Sequence, residues 1–228
     1  MYMEKKYDKA WDLSYKRLQN NLKYPNEEII KFLNKFILKK RLNKKEKIVF
    51  LDLGCGNGRN TKYILENGFS VVGIDLSKTA INNTRKLLKK NKCNPSRYKL
   101  INMGSDNFRC RTNFFDYIIS DCTLDSMPVN EFKKTLTLIF NTIKTNGLVY
   151  LNLINIKSVT HKGKFLNKYD FLINSKHEKN TIQSYFDKKR IKESFNQFKI
   201  LENYEIIKLK NKKILDARFH LILKKKIK

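Results

Sequence analysis

The sequence predicts an α/β protein on a doubly wound, mostly parallel sheet whose last strand is antiparallel, and three observations carry that expectation. Short apolar runs alternate with segments of helical period between residues 48 and 154. Strands that are nearly continuously apolar are buried on both faces, as in a parallel sheet covered by helices. The first run ends in Asp52 and passes through Gly54, Gly56 and Gly58 directly into a helical pattern. Finally, runs at 199–209 and 214–223 are separated by only four residues. So short a connection makes a hairpin, which turns the final strand antiparallel.

A chain of 228 residues is long enough to bury a full core, and 41% hydrophobic content lies outside the disordered class. Residues 1–25 read as an N-terminal aromatic helix or flap, and residues 26–228 as one domain with a lid-like insert at about 155–186. The opening Met-Tyr-Met-Glu-Lys-Lys is not a signal peptide, and no apolar run has the length of a membrane span. No membrane partner is expected. Cys55, Cys93, Cys110 and Cys122 have no C-x-x-C spacing and the three histidines are scattered. Reduced thiols in a cytoplasmic protein are expected, with no metal site. The net charge of +28 admits two readings. It is the electrostatic footprint of a nucleic-acid partner, or it is a solvated surface. Only nine of the 49 basic residues are Arg, the planar reader of phosphates and bases, which favours the solvated surface.

Taken in order, Tyr7, Trp11 and Tyr15 share one helical face, either packed as core or closing over a ligand. Asn26 caps a second helix with Glu27 and Glu28 in its first turn. Strands follow at 48–53, 70–75, 98–103, 115–121 and 148–154, with helices after the first, second and fourth. Ser77 caps the second of those helices; Asn130 opens and Asn146-Gly147 closes the one before the fifth strand. Residues 155–186 are polar, Lys-rich and without period, and a loop that long inside a domain is usually functional or mobile. Asp187 caps a last helix before the hairpin.

A buried strand feeding a glycine turn and a helix N-terminus is where α/β proteins hold nucleotide-like ligands. The second strand also ends in an acid, Asp75, which suits a ribose diol because a carboxylate accepts from both hydroxyls. Asp52 through Gly58 resembles motif I of class I S-adenosylmethionine-dependent methyltransferases, of form (D/E)-x-G-x-G-x-G. A dehydrogenase fingerprint sets its third glycine one residue later. The resemblance covers residues 26–223 and implies a seven-stranded Rossmann-like methyltransferase fold with S-adenosyl-L-methionine as cofactor.

Carried over by resemblance, Gly54, Cys55, Gly56, Gly58 and Asn60 line the turn beside the methionine moiety, with Asp52 near its amino group. Asp75 binds the ribose and Leu76 lies against the adenine. Ser105 and Asp106 stand where the family has an acid near the adenine amino group, one residue out of register. Asp121 and Cys122 fall near the donor methyl, and Asp125 replaces a familiar histidine. Asp121 and Asp125 are the catalytic candidates, and Trp11, Tyr15, Asp125 and His161 the substrate candidates. For Asp125 a turn-capping role is equally open.

No N/D-P-P-Y/F follows the fourth strand, which argues against the adenine and glutamine amino methyltransferases. The aromatic N-terminus and the insert are what small-molecule members of the family use as roofs. A small-molecule acceptor is therefore expected, in a monomer or homodimer. An RNA methyltransferase using the basic surface and a non-catalytic S-adenosylmethionine binder are the alternatives.

Overall fold

The computed structural model describes residues 4–17, 22–40, 47–158, 162–175 and 178–226. Two helices precede the sheet, α1 (Glu4–Lys16) and α2 (Glu27–Phe36). The Asn26 side chain accepts a hydrogen bond from the Glu28 N–H and so caps α2. The alternating region comprises β1 (Val49–Leu53), α3 (Arg59–Glu66), β2 (Ser70–Asp75), α4 (Lys78–Lys90) and β3 (Tyr98–Asn102). It continues through β4 (Phe115–Ser120), α5 (Val129–Thr142) and β5 (Ile143–Ile154). After it come β6 (Gly163–Phe165), β7 (Asp170–Ile173), β8 (Ile182–Ser184), α6 (Lys188–Ser194), β9 (Phe198–Lys210) and β10 (Lys213–Lys225).

The seven-stranded sheet has the order β3-β2-β1-β4-β5-β10-β9. β1 pairs in parallel with both β2 and β4, so the strand order reverses between β1 and β4. Ligands of open α/β sheets lie beyond the carboxyl ends of the strands at such a reversal. β10 runs antiparallel to β5 and to β9, as the hairpin predicts. Successive strand residues point to opposite faces. Accordingly Phe50 packs with Ile29, Phe32, Ile64 and Tyr150 on one face, while Leu51 and Leu53 pack with Phe132, Ile139 and Phe219 on the other.

Three local expectations are corrected. Asn146-Gly147 does not close a helix: α5 opens after Pro128 rather than at Asn130, and ends at Thr142. β5 then begins at Ile143, running straight through Gly147. A side chain there would put its Cβ 2.7 Å from the Asp116 carbonyl oxygen, so glycine is kept for a close backbone approach. The hairpin turn is two residues, Asn211 and Lys212, both with positive φ, the primed geometry that matches strand twist. The insert is not structureless either: β6, β7 and β8 form a separate antiparallel sheet. Its strands are only three or four residues long, too short for a period to emerge from a Lys-rich background.

Gly147→Ala should lower stability by about 1–3 kcal/mol, because neither the Asp116 carbonyl nor Ile143 can yield freely. An unchanged urea midpoint would contradict the close approach.

Candidate functional site

The turn from β1 to α3 is held by its backbone. Gly54, Gly56 and Gly58 have φ of +74°, +54° and +82°, a region that residues with a Cβ rarely occupy. The Gly54 and Cys55 N–H groups both donate to the Ile74 carbonyl, at 2.8 and 2.9 Å, which ties the turn to β2. Asp75, at the end of β2, accepts from the Gly56 N–H at 2.9 Å and from the Ser77 N–H at 2.8 Å. Burial raises its carboxyl to about 6. A Cβ on Gly54 would lie 2.0 Å from the Thr123 hydroxyl oxygen, so the loop after β4 closes directly over the turn.

Beyond the carboxyl ends of the strands lies a cavity of about 540 Å³. One end is walled by Gly54–Asn57, Asp75, Leu76 and residues 104–107, above β1, β2 and β3. The other is walled by Cys122, Ser126, Met127, Glu131, Glu178, Gln183 and Arg218, above β4, β5 and β10. Trp11, Tyr15 and Leu22 contribute the roof. α1 is fixed there by Asp12, whose carboxylate accepts from the Ser77 hydroxyl at 2.9 Å and the Thr79 N–H at 2.8 Å. Burial acts against the Asp12 charge, but these bonds and Lys16 outweigh it and bring the carboxyl down to about 2.

Asp121 stands at the junction of the two ends. Its carboxylate accepts from Asn26 Nδ2 (2.8 Å), Arg59 Nη2 (2.6 Å), Asn60 Nδ2 (3.1 Å) and Asn152 Nδ2 (2.7 Å). Burial pushes the group up, but the Arg59 charge and the amide donors win and hold it below the ordinary carboxylate range. The neighbouring Cys122 adopts a φ of +55°, its N–H donating to Asn152 Oδ1 at 2.7 Å. Asn152 therefore clamps both residues at once. The Cys122 side chain is exposed on the cavity wall, while the protein surrounding the cavity pushes its thiol up.

Comparison with known proteins agrees with this geometry. A family model described as a methyltransferase domain matches residues 44–218. The chain belongs to that family, the class I S-adenosylmethionine-dependent methyltransferases. Among solved structures it is similar to a SAM-dependent methyltransferase of Methanosarcina mazei, at 19% identity and a TM-score of 0.67, over 81% of this chain and 95% of that one. A SAM-dependent methyltransferase of Anabaena variabilis gives 18% identity and a TM-score of 0.65, over 96% and 95%. The 1,6-didemethyltoxoflavin-N1-methyltransferase of Burkholderia thailandensis gives 16% and 0.60, over 80% and 72%. No curated protein sequence matches the chain.

In this methyltransferase the cavity gathers Trp11, Tyr15, Gly54, Cys55, Gly56, Asn60, Asp75, Leu76, Ser105, Asp106, Asp121 and Cys122 of the residues expected from sequence. Three expected residues stand off the cavity wall. Asp52 is buried beneath the turn, accepting from the Thr61 hydroxyl at 2.5 Å. Gly58 begins α3, where a Cβ would meet Thr84 of α4 at 2.6 Å, so it serves helix packing. Asp125, expected to touch the acceptor or act in catalysis, is fully buried off the cavity wall and accepts from the Ile154 N–H (2.8 Å) and Arg218 Nη1 (2.9 Å). His161, like the Tyr7 side chain, lies outside the described residues.

Sequence reading missed Asn152, Arg218 and the second role of Asn26. The signal was present for Asn152, a polar residue inside an otherwise apolar run of a core strand, and such a residue needs a reason; Arg218 was masked by Asp216 and His220 in the same strand. Asn26 was read only as a helix cap, yet its amide nitrogen reaches Asp121.

Burial, with Asp121 and Asp75 nearby, lifts the Asp52 carboxyl to about 7. A raised carboxyl contributes stability at low pH that is lost as pH rises through the folded value. Asp52→Asn, which still accepts from Thr61, should therefore be more stable than wild type at about pH 8, by on the order of 2 kcal/mol. The gap should narrow as pH falls through about 7 and close near about 4, where the unfolded carboxyl also takes up its proton. Urea unfolding across that range measures it, and a pH-independent gap would contradict the buried charge.

Proposed function

We propose that the protein transfers the methyl group of S-adenosylmethionine to a small-molecule acceptor, with the donor over β1–β3 and the acceptor over β4, β5 and β10. Asp75 would hold the ribose hydroxyls, Leu76 and residues 104–107 the adenine, and the Gly54–Gly56 backbone the methionine moiety. Asp52 supports the turn through Thr61 rather than touching the ligand. Transfer to an O, N or S needs the acceptor's lone pair in line behind the methyl carbon in a dry pocket. The new bond forms as the S–C pair returns to sulfur, and the acceptor's proton leaves to water or a nearby base.

Asp121 is poorly suited to be that base. Its four hydrogen bonds occupy the lone pairs a proton would need, and its affinity for a proton is lowered. Its place beside Arg59, Asn60 and Cys122 supports a positioning role at the junction instead. Catalysis by alignment is the reading these contacts favour.

The observation that carries the small-molecule reading is the charge of the cavity. The chain has 40 Lys, yet none is among the described residues lining the cavity. The two lining arginines, Arg59 and Arg218, are each paired with a buried carboxylate. A groove for an RNA backbone needs rows of uncommitted cations, whose release of counterions makes binding steeply salt-dependent. The enclosing roof of Trp11, Tyr15 and Leu22 also suits a small ligand.

Calorimetric titration with S-adenosylmethionine tests the donor half. Asp75→Ala should weaken binding by at least about 1 kcal/mol, since two ribose bonds are lost. Wild-type affinity should also fall as pH drops through about 6, where Asp75 takes up a proton. Equal affinity in the variant would refute the ribose assignment. Saturable, base-specific tRNA binding that survives about 0.2 M salt would favour an RNA acceptor instead.

A further inference from the structure

The acceptor end of the cavity contains a cation that is built into the sheet. Arg218 pairs with Ile154 at the carboxyl end of β5. Four strand spacings separate β10 from β2, or about 19 Å, so Arg218 faces the end remote from Asp75. Its Nη1 donates to Asp125 Oδ2 at 2.9 Å and its Nε lies 3.4 Å from Asp216 Oδ1. Asp125 is in turn locked: Oδ2 also accepts from the Ile154 N–H, and its carbonyl accepts from Ser184 N–H and Gln183 Nε2. Two strands, the β4 loop and the insert sheet thus converge on one guanidinium.

Those contacts engage Nη1 and the Nε side of the guanidinium. Among the described residues, Nη2 has no protein partner, and the side chain is 21% exposed on the cavity wall. A guanidinium is planar, permanently charged and fork-shaped, and its two N–H groups at Nη2 need acceptors once water is excluded. Because Asp125 has already fixed its rotamer, binding there orders little further.

We propose that Arg218 is the residue that selects the acceptor, its Nη2 group donating to a carboxylate carried by the small molecule to be methylated. This rests on the methyltransferase reading of the same cavity. The assignment gives Asp125 a function its burial otherwise leaves open: it holds the recognition residue and does not touch the acceptor.

The test uses a small-metabolite extract separated beforehand on an anion exchanger, each pool then incubated with the protein and methyl-labelled S-adenosylmethionine. Label should enter the retained, anionic pool. Arg218→Met should reduce that transfer at least about tenfold while calorimetric donor affinity stays unchanged, since a charge-assisted bond is lost only at the acceptor end. Removing Arg218 alone strands the Asp125 charge, so Asp125→Asn combined with Arg218→Met is measured alongside it. Arg218→Lys, which keeps the charge without the fork, should retain part of the activity. Label in the unretained pool, or full transfer by the double variant, would overturn the role of Arg218 while leaving the methyltransferase reading intact. Donor binding with no transfer to any pool would overturn both.

Discussion

The hydrogen bond from the Gly56 N–H to the Asp75 carboxylate is the contact on which the site depends. It joins the end of β2 to a turn whose glycines sit at positive φ, a conformation the chain would not keep unaided. The same carboxylate fixes the N–H of Ser77, and Ser77 caps α4 while also donating to Asp12 of α1. One buried acid therefore links the glycine turn, two strands, the start of a helix and, through Ser77, the roof. Tyr15 follows from that chain of contacts, since its hydroxyl lies 2.8 Å from where a Gly56 side chain would begin. The turn must be glycine both for its torsion and for the roof to close.

A second constraint operates across the cavity. Asp121 is bonded to side chains from the α2 cap, α3 and β5, so the sheet cannot shift at the β1/β4 reversal without breaking several charge-assisted bonds. Arg218 and Asp125 do the same between β5, β10 and the insert. Among the described residues, each cation lining the cavity is thereby matched to an internal acid. The basic surface governs solubility and long-range fields, while the cavity is governed by these local pairs.

The sheet was legible because each core strand is a short apolar run bounded by turns, and the hairpin because its loop is too short to cross the sheet. The glycine spacing and the acids at two strand ends marked the site for the same reason: the torsions of the turn and the polar groups that tie it down constrain residue type locally. What escaped was non-local. Nothing near Asp125 in sequence predicts Arg218 as its partner, because that ion pair spans 93 positions and exists only once β10 slots beside β5. The place of Gly58 in the motif likewise gives no hint that it lies against Thr84 of α4. Gly147 resembled a helix stop because Asn-Gly is a frequent one, whereas the tertiary approach to Asp116 decided the outcome.

The central claim, that the Asp75-anchored turn holds the donor, is tested most directly by a crystal structure with S-adenosylhomocysteine. The account predicts both ribose hydroxyls within hydrogen-bond distance of the Asp75 carboxylate, the adenine against Leu76, and the sulfur directed toward Cys122 and the Arg218 end. A ligand bound elsewhere, or a ribose that makes no contact with Asp75, would contradict it.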